Sequence, residues 1–239
     1  MSTVSITVGT ADIRAALASV VVHAGDDEHL PVLTRVRLII DPVNVTVVAT
    51  DRFSVGLAIA SVWKYVDPHI ETLDLLPEDV TKVLSIFKSG KETASSEAPE
   101  YQLRIEADDE FVTVTDCSGF VEGRALKIPR IAVDEQFLDI PKLMSRSHHA
   151  PPVLLEDMAV NGSLLARFKV AATAYQKPLR IESHVGFKSL LIRAGDSFLG
   201  MLMPLNISEE DDIRHREWSV AWSARLPDPN TPSIKEAGE

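Results

Sequence analysis

The chain has 239 residues, 45% hydrophobic and 25% charged, a composition that fills one large packed core or two smaller ones and argues against a disordered chain. Its formal net charge of -11 repels a phosphate backbone, which argues against a DNA-binding domain that works simply by counterion release, and any DNA role has to come from shape or from a local basic face. No apolar run approaches the ~20 residues a membrane helix needs, and the opening MSTVSITVGT lacks the basic and apolar regions of a signal peptide, which predicts a cytoplasmic protein with no membrane partner.

In chain order, the alternation of Val4, Ile6 and Val8 reads as a strand, followed by a helix from Asp12 to Val22 with Ile13, Ala16, Leu17 and Val20 on one face and Thr10 as its N-cap. A polar loop, Gly25 to His29, leads to strands at Val32 to Ile40 and Val45 to Thr50 around a turn at Asp41 and Pro42, with Phe53 to Ala60 extending the sheet. The same unit then recurs. Thr72 to Leu76 is a strand, and Pro77 opens a helix through Val80, Val83, Leu84 and Phe87 that Gly90 ends. A Ser-, Glu- and Ala-rich loop, Lys91 to Glu100, precedes strands at Gln102 to Ala107, Phe111 to Asp116 and Gly119 to Ile128. The third unit has a strand at Val153 to Val160, a helix from Ser163 to Tyr175, and strands at Leu179 to Ser183, Lys188 to Arg193 and Phe198 to Pro204.

These patterns divide the chain into a complete domain over 1–130, a connector over 131–152, a half domain over 153–207 and an acidic, proline-rich tail over 208–239 in which Trp218 and Trp222 are the candidate anchors. The fold class is α+β, with repeated strand-helix-strands units whose helices lie on one face of antiparallel sheets.

The stretch HLPVLTRVRLIIDPVNVTVVATDRFSVGLAIA, His29 to Ala60, resembles the bacterial DNA polymerase III beta sliding clamp, in which a Leu-Pro-x-Leu strand is followed by an apolar strand ending in Ala-Thr-Asp. Its best likeness is to the clamp's middle domain. VNGSLLARF followed by KPLRIESHVGFKSLLIRAGDSFLGMLMPL, Val160 to Leu205, resembles the last half of the clamp's third domain, and FLDIPKLM, Phe137 to Met144, sits where the family has the connector between those domains.

The resemblance implies a DNA-clamp fold, a ring through which duplex DNA passes without sequence recognition, and an oligomer of identical chains. It also implies a processivity factor whose partners, DNA polymerase and other clamp-binding proteins, dock short linear peptides into an apolar pocket. Carried over residue by residue, that pocket is lined by Leu33, Thr50, Phe53 and Val55 from the first unit. The third unit supplies Asn161, Leu164, Phe187, Ser189, Met203, Pro204 and Leu205. Asn161 is equally placed to cap the helix that follows it. Cations for a DNA-facing side are sparse, namely Arg14, Lys82, Lys88, Lys91, Arg167 and Lys169. The chain departs from the family in lacking a visible N-terminal clamp domain and the first half of the third, which opens an alternative: a clamp mimic that binds partners as an adaptor or decoy without encircling DNA. Ser54 and Leu138 stand where basic residues are expected beside the pocket.

No constellation for catalysis stands out, which predicts a non-enzymatic protein without cofactor or metal. Cys117, the single cysteine, reads as a small buried apolar side chain, and His148-His149 as exposed loop residues. Asp26, Asp27 and Glu28 read as a solvated loop rather than the cation site of a metal-dependent enzyme, and Asp108 to Glu110 as a hairpin turn.

Overall fold

The computed structural model describes residues 4–66, 70–90, 98–134, 136–154 and 158–226. The chain divides into two units, Met1–Pro204 and Leu205–Glu239.

The first unit begins with β1 (Val4–Gly9), α1 (Thr10–Val21), β2 (Val36–Ile40), β3 (Asn44–Thr50) and β4 (Ser54–Tyr65). A second repeat follows: β5 (Glu71–Leu75), α2 (Pro77–Ile86), β6 (Gln102–Ala107), β7 (Phe111–Asp116) and β8 (Ala125–Pro129). The predicted connector contains a helix, α3 (Ile140–His149). The third repeat is β9 (Pro152–Val153), α4 (Gly162–Tyr175), β10 (Leu179–His184), β11 (Leu190–Ala194) and β12 (Phe198–Leu202).

All strand pairs are antiparallel, and the sheet path runs β8-β7-β6-β1-β4-β12-β11-β10-β9, with β5-β2-β3 branching from β4. The first two repeats exchange their leading strands: β1 pairs with β6 of the second repeat, and β5 with β2 of the first. Each repeat is therefore completed by the other.

Side-chain alternation along the strands sorts the apolar residues into two layers. Val47, Ala58, Ile192 and Leu202 join Ile13, Leu17 and Val20 of α1, Val80 and Val83 of α2, and Phe168 and Ala171 of α4 in the main core. Their neighbours Val48, Leu57, Leu191 and Met201 point to the opposite face, where Ile140 and Met144 of α3 cover them. The expectation of helices on a single face thus holds for α1, α2 and α4, while α3 seals part of the other. Its cap is a local signal: Asp139 accepts from the Lys142 amide at 3.0 Å, and a proline occupies the first turn.

A buried, two-pronged ion pair ties the connector to the sheet. Arg37 meets Asp74 through Nε–Oδ1 at 2.7 Å and Nη2–Oδ2 at 2.9 Å, donates to the Asp134 carbonyl at 2.7 Å, and lies 4.3 Å over the Phe137 ring.

Several expected boundaries move. Thr10 is the first residue of α1 rather than its cap; Gly9 precedes the helix, and the buried Thr10 hydroxyl has no hydrogen-bond partner among the described residues. The α2 helix ends at Ile86, ahead of Gly90, because Phe87 is extended and Arg14 of α1 donates to the carbonyls of Leu84, at 2.5 Å, and Phe87. The strand expected over Val153 to Val160 is reduced to Pro152–Val153, which pairs with His184 and Ser183 of β10; residues 155–157 lie outside the described residues. Residues 91–97 of the expected loop also lie outside them. His148 and His149 close α3 instead of sitting in a loop, with His149 Nδ1 2.8 Å from the Ser145 carbonyl. Cys117 is half-buried, and burial pushes its thiol up, which makes it a poor nucleophile. The Asp108 carboxylate accepts from the amides of Glu110 and Phe111, making the expected hairpin turn.

In the second unit, the expected loose tail holds α5 (Glu209–Arg225). Ser208 caps it by accepting from the Asp211 amide at 3.2 Å, and Glu209 to Asp212 place negative charge at the positive end of the helix dipole. No helix among the described residues is long and apolar enough to cross a membrane.

Candidate functional site

Where β3 passes into β4 the chain reverses over Asp51, Arg52 and Phe53, and Arg52 takes φ 79°, a left-handed conformation that a non-glycine residue holds only when its surroundings fix it. The surroundings here are polar. Asp51 Oδ1 accepts from the amides of Phe53 at 2.9 Å and Ser54 at 2.7 Å, while Thr50 Oγ1 accepts from the Arg52 amide at 3.0 Å and donates to the Ser54 carbonyl at 2.9 Å. From α4, Arg167 Nη1 donates to Asp51 Oδ2 at 2.5 Å and to Ser54 Oγ at 2.8 Å. Burial alone raises the Asp51 carboxyl, but the Ser54 amide, the Arg167 guanidinium and the Phe53 amide outweigh it and hold the group below its usual range.

Beneath the turn, His23 is fully buried with Nδ1 3.1 Å from Ser54 Oγ. The Ser54 hydroxyl has one proton and gives it to Asp51 Oδ1, 3.2 Å away, so the network assigns the imidazole proton to Nδ1 and leaves Nε2 as an acceptor without a partner among the described residues. Desolvation, reinforced by the nearby Arg167 charge and opposed by Asp51, pushes His23 down to about 3, so it stays neutral in the fold.

A cavity of about 370 Å³ opens beside this turn, within the size range of small-ligand and peptide-anchor pockets. Leu30, Val32 and Leu33 form one wall, and Thr50, Arg52, Phe53 and Val55 a second. Met201 and Met203 close the β12 side, where the Met203 amide donates to the Phe53 carbonyl at 2.9 Å. Gln136, Leu138 and Leu143 come from the segment around the start of α3. The lining is mostly apolar, with Thr50 and Gln136 as polar members and Arg52 as its charged one.

Five of the expected pocket residues, Leu33, Thr50, Phe53, Val55 and Met203, line this cavity together. The others are placed elsewhere. Asn161 caps α4, accepting from the amides of Ser163 at 2.9 Å and Leu164 at 3.3 Å; Leu164 packs against the main core; Ser189 is buried; Phe187 and Pro204 are half-buried outside the lining; and Leu205 belongs to the second unit. Leu30, Val32, Arg52, Gln136, Leu143 and Met201 were not expected to contribute. Leu138 does border the cavity, but Ser54 is buried behind it, and Arg52 supplies the positive charge instead.

The expected DNA-facing cations are largely engaged within the protein. Arg14 bonds the end of α2, Arg167 pairs with Asp51, and Lys82 pairs with Asp79 at 2.8 Å. Lys88 and Lys169 are exposed, and Lys91 lies outside the described residues. Asp26, Asp27 and Glu28 are exposed, and no cluster of three metal-ligating side chains occurs among the described residues.

Repeated strand-helix-strands units that complete each other's antiparallel sheets, with α1, α2 and α4 on one face, define the fold of the DNA sliding clamps. Solved clamp structures share this fold. The DNA polymerase sliding clamp from Bacillus subtilis superposes with a TM-score of 0.60 at 11% identity, covering 85% of this chain and 64% of the clamp. The DNA polymerase III beta subunit from Thermotoga maritima gives 0.60 at 10% identity, covering 88% of this chain and 67% of that protein. The chain thus spans 64% of the length of the Bacillus clamp, and the likeness is one of fold. Neither a protein-family model nor a curated protein sequence matches the chain.

Proposed function

We propose that this protein is a non-catalytic, sliding-clamp-like processivity factor that binds short linear peptides of DNA polymerase and other replication proteins and tethers them to duplex DNA. The observation that carries the reading is the apolar cavity at Leu33, Phe53, Val55 and Met203, in a chain of clamp fold. A few apolar anchors buried in a preformed groove dominate the affinity of a short peptide, and the two methionines let the wall adapt to different side chains. In this reading residues 1–130 act as a complete clamp-like domain and 153–207 as a half domain, the site of action is the cytoplasm, and Lys88 and Lys169 are the cations available for sequence-independent contact with DNA. Assembly of several copies would complete the half domain. Its β10 edge is paired only at Ser183 and His184, leaving Leu179 to Glu182 open on that side among the described residues.

A second reading, an adaptor that holds clamp-binding partners without encircling DNA, is favoured by the engagement of Arg14 and Arg167 inside the protein and by the net charge of -11. Anisotropy of a labelled clamp-binding peptide tests the shared claim, with saturable binding expected; absence of binding at high protein concentration refutes it. Light scattering and retention on circular DNA then separate the two: a multimer retained on circles but lost on linear ends supports the tether, and a monomer that never stays on DNA supports the adaptor.

A further inference from the structure

The turn that walls the cavity belongs to the first repeat, whereas the guanidinium that grips it comes from the third, 116 positions away in the chain. We propose that Arg167 is a positioning residue for the peptide pocket: reaching from α4, it holds Asp51 and Ser54 and thereby fixes the turn that stands Arg52 and Phe53 at the cavity wall. The inference rests on reading the cavity as a peptide site.

Asp51 is the bridge. One carboxylate oxygen is committed to the amides of Phe53 and Ser54, inside the turn, and the other to Arg167, outside it. The same guanidinium nitrogen reaches Ser54 Oγ at 2.8 Å, so both ends of the reversal are tied to α4. Packing does little of this work, because Phe53 is 54% exposed and Arg52 is exposed as well. The left-handed Arg52 backbone is thus held by the hydrogen-bonded frame.

Arg167 is itself aimed by its neighbour in sequence. Phe168 is fully buried, its ring 4.7 Å from that of His23, and it fills the space left by the absent side chain of Gly200, where a Cβ would collide with the ring. Gly56 makes the matching room for His23, since a Cβ there would stand 2.6 Å from His23 Cδ2. With Phe168 locked between β12 and His23, α4 cannot roll, and Arg167 emerges at a fixed angle toward Asp51. A position that the clamp resemblance places on a DNA-facing side is here turned to the β3–β4 turn.

The test combines two probes on the intact chain. One is 4-fluorophenylalanine placed at position 53, whose fluorine resonance reads the turn without any ligand. The other is a fluorescein-labelled peptide bearing apolar side chains to match the lining and one carboxylate to meet Arg52. Arg167→Gln and Asp51→Asn are each expected to shift or broaden the fluorine signal and weaken the peptide at least tenfold. The double variant should be no more than twofold worse than either single one, because both break the same link, and Arg167→Lys should recover part of the loss. A folded Arg167→Gln protein with an unchanged fluorine signal and affinity within twofold of the unsubstituted protein overturns the proposal, as do losses that simply multiply in the double variant. If Arg167→Gln does not fold, Ser54→Ala removes one of its two partners and is read by the same two criteria. If the unsubstituted protein fails to bind the peptide, the peptide reading falls on its own, and the fluorine signal alone decides whether Arg167 holds the turn.

Discussion

Lowering the pH should expose the burial of His23 as a loss of stability, and the size of the loss follows from its surroundings. The imidazole has an ordinary value of 6.5 and is pushed to about 3 in the fold, chiefly by desolvation. Between those values the unfolded chain takes up a proton that the folded chain does not, so stability is full above about pH 6.5 and falls as the pH drops toward 3. At pH 4.5, two units below the ordinary value, the lost contribution amounts to about 3 kcal/mol, a large share of a typical domain's stability. Asp51 acts in the same sense but at lower pH: a carboxylate held below 3.8 loses its contribution only as pH falls through the carboxylate range, so it adds little at 4.5. The assay is urea denaturation at pH 7 and pH 4.5 for the unsubstituted protein and for His23→Phe, which keeps a ring against Phe168 but cannot titrate. The substitution loses the Ser54 hydrogen bond at both pH values, so that loss cancels in the comparison. The drop between the two pH values should be about 3 kcal/mol smaller in the variant. Equal drops in both proteins would refute the argument that a neutral, desolvated His23 is what acid works against.

Other perturbations separate the cavity from the core. Leu143→Ala and Met203→Ala, both at the cavity, should each weaken the labelled peptide on the order of tenfold in the anisotropy titration. Leu164→Ala, packed against the main core and away from the lining, should leave affinity within about twofold and lower stability by about 1–2 kcal/mol in urea denaturation. Asp74→Ala leaves the Arg37 guanidinium buried without its carboxylate and should lower stability by about 3–5 kcal/mol, measured the same way. Gly200→Ala forces a methyl group against the buried Phe168 ring and should lower stability by about 1–3 kcal/mol, read as a depressed melting temperature.

Strand and helix periodicity carried most of the fold, because the main core is built from residues whose burial repeats every second or every third and fourth position. Val4, Ile6, Ile13, Leu17, Val80 and Val83 announce their faces locally. What escaped is what depends on distant partners or on short patterns. The ten residues of α3 offer only Ile140, Met144 and Ser147 as a buried stripe within a proline-containing, polar stretch. With the helix unseen, the nearby cavity residues Gln136 and Leu143 went unseen too, although Asp139 ahead of Pro141 was a usable start signal. The α5 helix escaped for another reason: none of its residues is buried, so no apolar stripe marks it, and only Ser208 and the acids after it announce a start. Arg14 and Arg167 sit on helices whose spacing defines a face, but spacing cannot reveal carbonyls and carboxylates 70 and 116 positions away that claim them.

The cavity owes its place to one long strand. On one edge β4 pairs with β3 along Val55 to Ser61; on the other it pairs first with β12, at Ser54 to Ala58, and then with β1, at Val62 to Tyr65. At about 3.3 Å per residue, its 12 residues are long enough to seat two partners in line on a single edge. That seam is where the third repeat joins the first, and it brings Met201 opposite Val55 in register. Because a one-residue slip of β12 would send Met201 to the face of the sheet opposite Val55 and Leu57, the register that joins the repeats is also the register that builds the pocket wall. The same joint carries the Arg167 contact with Asp51, so the loss of β12 pairing would take both the apolar wall and the polar frame together. A site of this kind is a property of the junction between repeats, and no single repeat contains it.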